Sequence, residues 1–397
     1  MLRLLRLSSP ASSSILLRLS QLLVMVVGSQ VLPSDARASF LVAFSVVAAF
    51  GVFSDSGAGN FLLAQPVLSR TTFEKAVATQ LWVAAAGAAL GAVYSVVFLP
   101  WPSTASGLLI AGSLGASQAL DSATRAARSG RLKSGDDWGF SLGDGVAALA
   151  KMLLATSGLL LDSITFVLGL PVASAIVFCF MYLYSRPSRS GANQRGQVRQ
   201  IFKFGLAGVT SGLYSQAPFL LLSAIAPIQA SAALSVLLRV VQPLEIVPAV
   251  ASQQVLARAS SRRVPVARLW LCFTALGALF GTILILLRAE ISELFGSETL
   301  PLVLAITVAL ILPIKFGNYL LNTMMLAKSL LWTKISISIG VGLAATIATL
   351  LIAPIALATG TALVMLTSEV MLAASMAFFL LKEANRPGKS GIWKLSK

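Results

Sequence analysis

Long apolar runs alternate with short polar stretches along the whole chain. The runs fall at about 11–32, 37–63, 77–99, 105–124, 138–160, 163–184, 202–223, 229–252, 268–288, 300–324, 332–353 and 357–382. A helix needs about 20 apolar residues to cross a hydrocarbon core about 30 Å thick. Lipid offers no partner to a backbone polar group, so runs of this kind must be helices. A membrane barrel would show shorter, alternating segments instead. The pattern predicts an all-α polytopic membrane protein of about twelve transmembrane helices.

Charge gives these helices a direction. Of 397 residues, 57% are hydrophobic and only 11% charged, against about 25% charged in a soluble domain. The net charge of +16 would suggest nucleic acid in a soluble protein, but here the basic residues lie between the runs. The termini and the loops after every second helix hold 24 of the Lys and Arg residues, and the alternate loops hold only Arg37 and Arg288. The positive-inside rule then places both termini in the cytoplasm of a multi-pass protein, in a bacterial inner membrane, with lipids and no nucleic acid as partners. The basic start resembles a signal peptide, but Arg18 and Gln21 interrupt its apolar core. It is read as a retained first helix.

The longest polar stretch, SRPSRSGANQRGQVRQ at Ser185–Gln200, divides the helices six and six. The expected organisation is a six-helix lobe at 1–184, a basic linker at 185–201, a second lobe at 202–382 and a basic tail at 383–397. A weak repeat follows the same division. PSDARASFLVAFSVV begins at Pro33 and PIQASAALSVLLRVV at Pro227. Equivalent places in two halves imply parallel repeats about an axis along the membrane normal.

Several chemistries are disfavoured. The sequence has no histidine, and its two cysteines, Cys179 and Cys272, lie apart in apolar runs. No metal site or other cofactor is expected. No phosphate-binding loop of the ATPase type is present. The non-cytoplasmic loops are too short to hold the substrate and acids of a membrane glycosyltransferase or polymerase, so an enzyme is not expected.

Charged residues inside the bilayer cost at least ~2.5 kcal/mol each and mark function by default. The cations are Arg18, Lys151, Arg239 and Lys315, and the acids are Asp55, Asp121, Asp144, Glu245 and Glu369. Lys151 lies two turns after Asp144 and is expected to pair with it. Asp121 precedes a basic loop and reads as interfacial. Lys315 lies between Pro313 and Gly317, where a kinked or broken helix would face a cavity. Arg18, Arg239, Lys315 and Lys151 are candidate cavity cations, able to bind phosphate or pyrophosphate by charge-assisted hydrogen bonds. Asp55 beside Gly57, with Asp144, Glu245 and Glu369, are candidates for a hinge or for coupling to an ion, H+ or Na+.

The opening segment LRLSQLLVMVVGSQVLPSDARASFLVAFSVVAAFGVFSDSGAGNFLLAQ carries a resemblance. An amphiphilic helix, a short turn, a second helix and an acid-then-glycine segment at Asp55 and Gly57 resemble the Wzx-like oligosaccharide flippases. These belong to the multidrug/oligosaccharidyl-lipid/polysaccharide (MOP) exporter superfamily. The resemblance implies alternating access between two lobes around a central cationic cavity. It implies a lipid-linked (undecaprenyl-pyrophosphate) oligosaccharide as substrate, for polysaccharide biosynthesis, and polymerase machinery as a partner. A multidrug and toxin extrusion antiporter of the same superfamily is the second expectation. It is disfavoured by Arg18 standing in the first helix where no acid does. A non-transport scaffold of a glycan-assembly complex is the third.

Overall fold

The computed structural model describes residues 2–65, 68–188, 197–259, 265–296, 300–328 and 330–384. Residues 189–196 of the predicted linker and 385–397 of the predicted tail lie outside them. The described residues form helices joined by short turns: α1 (Leu2–Val31), α2 (Ser34–Phe53), α3 (Ala58–Ala64), α4 (Arg70–Phe98), α5 (Thr104–Lys133), α6 (Asp137–Leu160), α7 (Ser163–Ser185), α8 (Gln197–Ile225), α9 (Ile228–Val241), α10 (Ile246–Ala259), α11 (Val266–Leu286), α12 (Arg288–Leu294), α13 (Leu302–Ala327) and α14 (Leu331–Ala384).

The turns use ordinary helix-start chemistry. Ser69 accepts the Thr72 N–H, and Asp136 accepts the Gly139 N–H at 2.8 Å. Asp162 accepts that of Thr165 at 2.5 Å, and Ser103 and Ser106 form a reciprocal capping box. Each satisfies a first-turn N–H that has no partner within its own helix.

Polarity is arranged inside out. Trp82, Leu160 and Ile355 are among many large apolar residues on the outside, while Ser20, Ser45, Ser235 and Thr349 are buried. Buried hydroxyls turn back onto their own helix, as Ser95 does to the Gly91 carbonyl at 2.8 Å and Thr307 to Val303 at 2.8 Å. Small residues let backbones meet. A Cβ on Gly277 or Gly281 of α11 would lie 2.6 Å from the Leu312 carbonyl oxygen or 2.7 Å from that of Ala309, so α11 and α13 pack at closest range there. Among the described residues eight spans are long and apolar enough to cross a membrane, α2 and α3 counting as one, and the pair α9–α10, bent by 44°, gives a ninth if it is taken as a single span. The molecule is a multi-pass, all-α membrane protein.

Several runs differ from their expected form. The run 37–63 is two helices, α2 and α3, and the run 229–252 is α9 and α10. The expected basic loop at Arg125–Lys133 is helix, because α5 continues to Lys133. Its basic residues cluster on a helix end, where cations oppose the negative end of the dipole. α13 passes through Pro313 without a break. The last two runs keep their expected boundary: the two legs of α14 meet at Leu357 (φ 50, ψ −136).

The Pro33 and Pro227 segments share a local geometry. Each proline caps its helix with nearly the same dihedrals, φ −52, ψ 147 and φ −53, ψ 141. α2 and α9 pack on one another, and each is followed by a break and a further helix.

Candidate functional site

A cavity of about 320 Å³ lies among α1, α2, α5, α6 and the α9–α10 break. Its charged wall consists of Arg18, Arg125, Lys151 and Arg239 against Asp55 and Asp121. Four cations against two carboxylates leave a net positive interior. A second space of about 280 Å³ shares Arg18, Gln21, Asp121 and Arg125 with the first and continues it toward the basic end of the bundle.

The cations differ in what holds them. Lys151 pairs with Asp121. Asp121 also accepts the Ser174 hydroxyl at 2.9 Å, and Ser174 meets Ser117 at 2.7 Å. This corrects two expectations. Lys151 does not pair with Asp144, and Asp121 is a wall residue of the cavity rather than an interfacial one. Asp144 instead pairs with Arg128 and accepts the Ser14 hydroxyl at 2.7 Å. Residues two turns apart on one helix share a face, but a partner on the neighbouring helix stands closer.

Arg239 is buried, and each of its nitrogens meets a neutral acceptor. Nε donates to Ser45 Oγ at 2.9 Å, Nη1 to Gln242 Oε1 at 2.8 Å and Nη2 to the Phe44 carbonyl at 3.1 Å. The guanidinium also lies 5.1 Å from the Phe44 ring centroid. Arg18 donates to Gln21 Oε1 at 3.2 Å. Among the described residues neither arginine, nor Arg125, has a carboxylate within ion-pair distance. A cation whose partners are all neutral keeps its attraction for an anion.

Lys315 is placed differently. It donates to Glu245 Oε1 at 2.6 Å, and Tyr319 donates to Glu245 Oε2 at 3.1 Å. Glu369 accepts from Asn318 Nδ2 at 2.7 Å. Lys315, Glu245 and Glu369 line a void of about 20 Å³, and none of these groups is on the wall of the cationic cavity. The kink expected at Pro313 is not what exposes Lys315; a neighbouring carboxylate takes it.

Asp55 and Gly57 form the break after α2. Asp55 Oδ1 accepts the Gly57 N–H at 2.9 Å, and Gly57 has φ +78. A Cβ there would strike the Phe204–Gly205 backbone, while one on Gly205 would lie 2.6 Å from the Asp55 carbonyl oxygen. Both positions need glycine, for conformation or for closeness. Gln80 of α4 holds this break and was not singled out from sequence. Its Oε1 accepts the Ser56 N–H at 3.0 Å, and its Nε2 donates to the Ser54 carbonyl at 3.2 Å and to Ser122 at 2.8 Å. One glutamine inside an apolar run was the available signal. Arg125 and Arg128 were assigned to a loop and so were also missed.

No protein-family model and no curated protein matches the sequence. Solved structures do match its fold. The lipid II flippase MurJ in an inward closed conformation has a TM-score of 0.67 at 13% identity, over 93% of this chain and 86% of that one. A eukaryotic MATE transporter gives 0.66 at 16%, over 95% of each chain. A MOP superfamily transporter from Pyrococcus furiosus, described as having a binding pocket of reverse polarity, gives 0.63 at 14%, over 95% of each chain. The chain has the fold that these MOP-type transporters share.

Proposed function

We propose that the protein is a transporter of anionic, lipid-linked substrates, and that it flips undecaprenyl-pyrophosphate-linked oligosaccharide across the bacterial inner membrane by alternating access. The observation that carries this reading is the net positive cavity with three arginines free of carboxylates. Such a site pays the desolvation of its cations in advance and recovers it from a phosphate. Arg18, Arg125 and Arg239 bind the head group, and the paired Lys151 shapes the wall. The likeness to MurJ, named as a lipid II flippase, supports the same substrate class. We place both termini in the cytoplasm, with twelve membrane crossings in two lobes, on the charge pattern of the loops. The basic-end location of the cavity then gives access from the side where lipid-linked intermediates are built.

The test is deletion of the gene followed by sidedness labelling of lipid-linked oligosaccharide. Accumulation on the cytoplasmic leaflet is expected, with recovery by the wild-type chain and failure of recovery by the Arg18→Gln/Arg125→Gln/Arg239→Gln variant. Full recovery by that variant would refute the role of the arginines.

A second reading, a multidrug antiporter, is favoured by the comparable likeness to MATE transporters and by Asp55 and Asp121 on the cavity wall. Those two acids could receive a cationic compound, with H+ or Na+ as the coupling ion. Altered susceptibility to cationic drugs on deletion, with normal lipid-linked glycan, would select this reading.

A further inference from the structure

A cavity larger than the cationic one lies at the opposite end of the bundle. It measures about 550 Å³, and among the described residues Arg37 is the single charged side chain on its wall. Arg37 is partly exposed; it donates from Nη1 to the Gly296 carbonyl at 3.1 Å, while its Nε atom is buried and has no hydrogen-bond partner among the described residues. Asp35, on the same first turn of α2, is exposed and not on this wall.

Four helix starts meet at the same chamber. Ser34, Gln229 and Pro301 on its wall stand at the starts of α2, α9 and α13, and Ala358 begins the second leg of α14. Pro33, Pro227 and Pro301 cap their helices without any side-chain hydrogen bond. Among the described residues the N-cap side chains offer the first-turn N–H groups no acceptor, and each helix start carries a partial positive charge. An arginine with an unfilled N–H, in a chamber faced by several uncapped helix starts, has the chemistry of an anion site.

α2 and α9 connect this chamber to the cationic cavity. Leu41 lines the outer chamber, whereas Phe44 and Arg239 line the inner one. Between them runs a chain of hydrogen bonds: Arg239 Nε to Ser45 Oγ at 2.9 Å, Ser45 to Ser235 at 2.6 Å, and Ser235 Oγ to the Leu41 carbonyl at 2.7 Å. Ser235 spends its only proton on Leu41, so Ser45 is the donor to Ser235. Two hydroxyls are thus part of the partition between the chambers.

We propose, resting on the anion-transporter reading above, that the outer chamber is a second anion site that receives a phosphate or pyrophosphate head group leaving the cationic cavity. Arg37 is its binding residue, and the Ser45–Ser235 pair is the barrier the head group passes.

The test uses the full chain in nanodiscs of phosphatidylcholine, titrated calorimetrically with undecaprenyl pyrophosphate and, separately, with inorganic pyrophosphate. Two sites are expected in the wild type. Arg37→Gln should weaken one by about tenfold or more, and Arg239→Gln the other. Because Arg37 also holds Gly296, a second variant is needed. Ala233→Asp adds a negative charge to the outer wall without touching that contact, and should weaken the same site as Arg37→Gln. Inorganic pyrophosphate filling the outer site would assign recognition to the head group itself; binding of the lipid alone would assign it to a lipid-borne phosphate. Two unchanged sites in both Arg37→Gln and Ala233→Asp, or a single wild-type site lost in Arg239→Gln, would overturn the outer site. Two unchanged sites in Arg239→Gln would instead overturn the cationic-cavity reading.

Discussion

Two regions of the protein bury charge within the bundle and treat it in opposite ways. Around Lys315 the charges are consumed by one another. Glu245 takes the lysine and Tyr319, Asn318 takes Glu369, and a void of only about 20 Å³ is left. Around Arg239 three arginines stand without carboxylates beside about 320 Å³ of space. A charge in the membrane is therefore not by itself a sign of a binding site. What separates the two regions is whether the neighbouring helix supplies an opposite charge or a neutral acceptor. The first arrangement closes the charges on one another, and the second leaves cations without a paired charge beside a cavity, as the proposed binding role requires.

The sharpest way to break this comparison is to remove a partner from the closed cluster. Lys315→Met leaves Glu245 buried with only a tyrosine, and should cost about 3–5 kcal/mol, read as a fall in thermal midpoint of the purified protein. Adding Glu245→Gln to it should recover most of that loss. If Lys315→Met melts like the wild type, the cluster does not hold the helices. Arg239→Gln should behave conversely, with transport of lipid-linked substrate falling by about tenfold or more and stability by only about 1–2 kcal/mol, from the lost neutral hydrogen bonds. A stability loss as large as that of Lys315→Met would erase the distinction. Gly57→Ala forces a Cβ into the left-handed region, at about 1–2 kcal/mol, and against the Gly205 backbone. A melting curve no lower than wild type would mean that the α2–α3 break does not need this conformation. Smallest of all is Arg70→Ala. Its pair with Glu74 is half exposed, so stability should change by at most about 1 kcal/mol; a larger change would show that even rim pairs matter here.

Much of this architecture was legible in the sequence. Apolar runs fix where helices lie because lipid excludes every other backbone arrangement, and the Pro33 and Pro227 segments gave matching caps. Breaks inside runs were not legible. The α2–α3 break depends on Gln80 reaching across from another helix; the turn at Leu357, by contrast, falls at the boundary expected between the last two runs. Candidate cations were found because charge in an apolar run is conspicuous, but their partners were not. Lys151 has an acid two turns back on its own helix, yet Asp121 on α5 takes it. Arg125 and Arg128 were missed for a different reason. Enough basic residues resemble a loop, although the same residues also suit the last turns of a helix.

The fixed pose of Arg239 has a thermodynamic consequence. A free arginine side chain carries about 2 kcal/mol of rotamer entropy, and immobilising it on a ligand normally subtracts from affinity. Here Ser45, Gln242 and the Phe44 carbonyl hold the guanidinium before any ligand arrives. That ordering is completed during folding, so on the proposed reading an anion entering the cavity would meet a guanidinium already held in place on its wall. Selectivity at Arg239 should therefore follow the shape of the anion more closely than its charge alone, because a rigid fork rewards only acceptors that match its spacing.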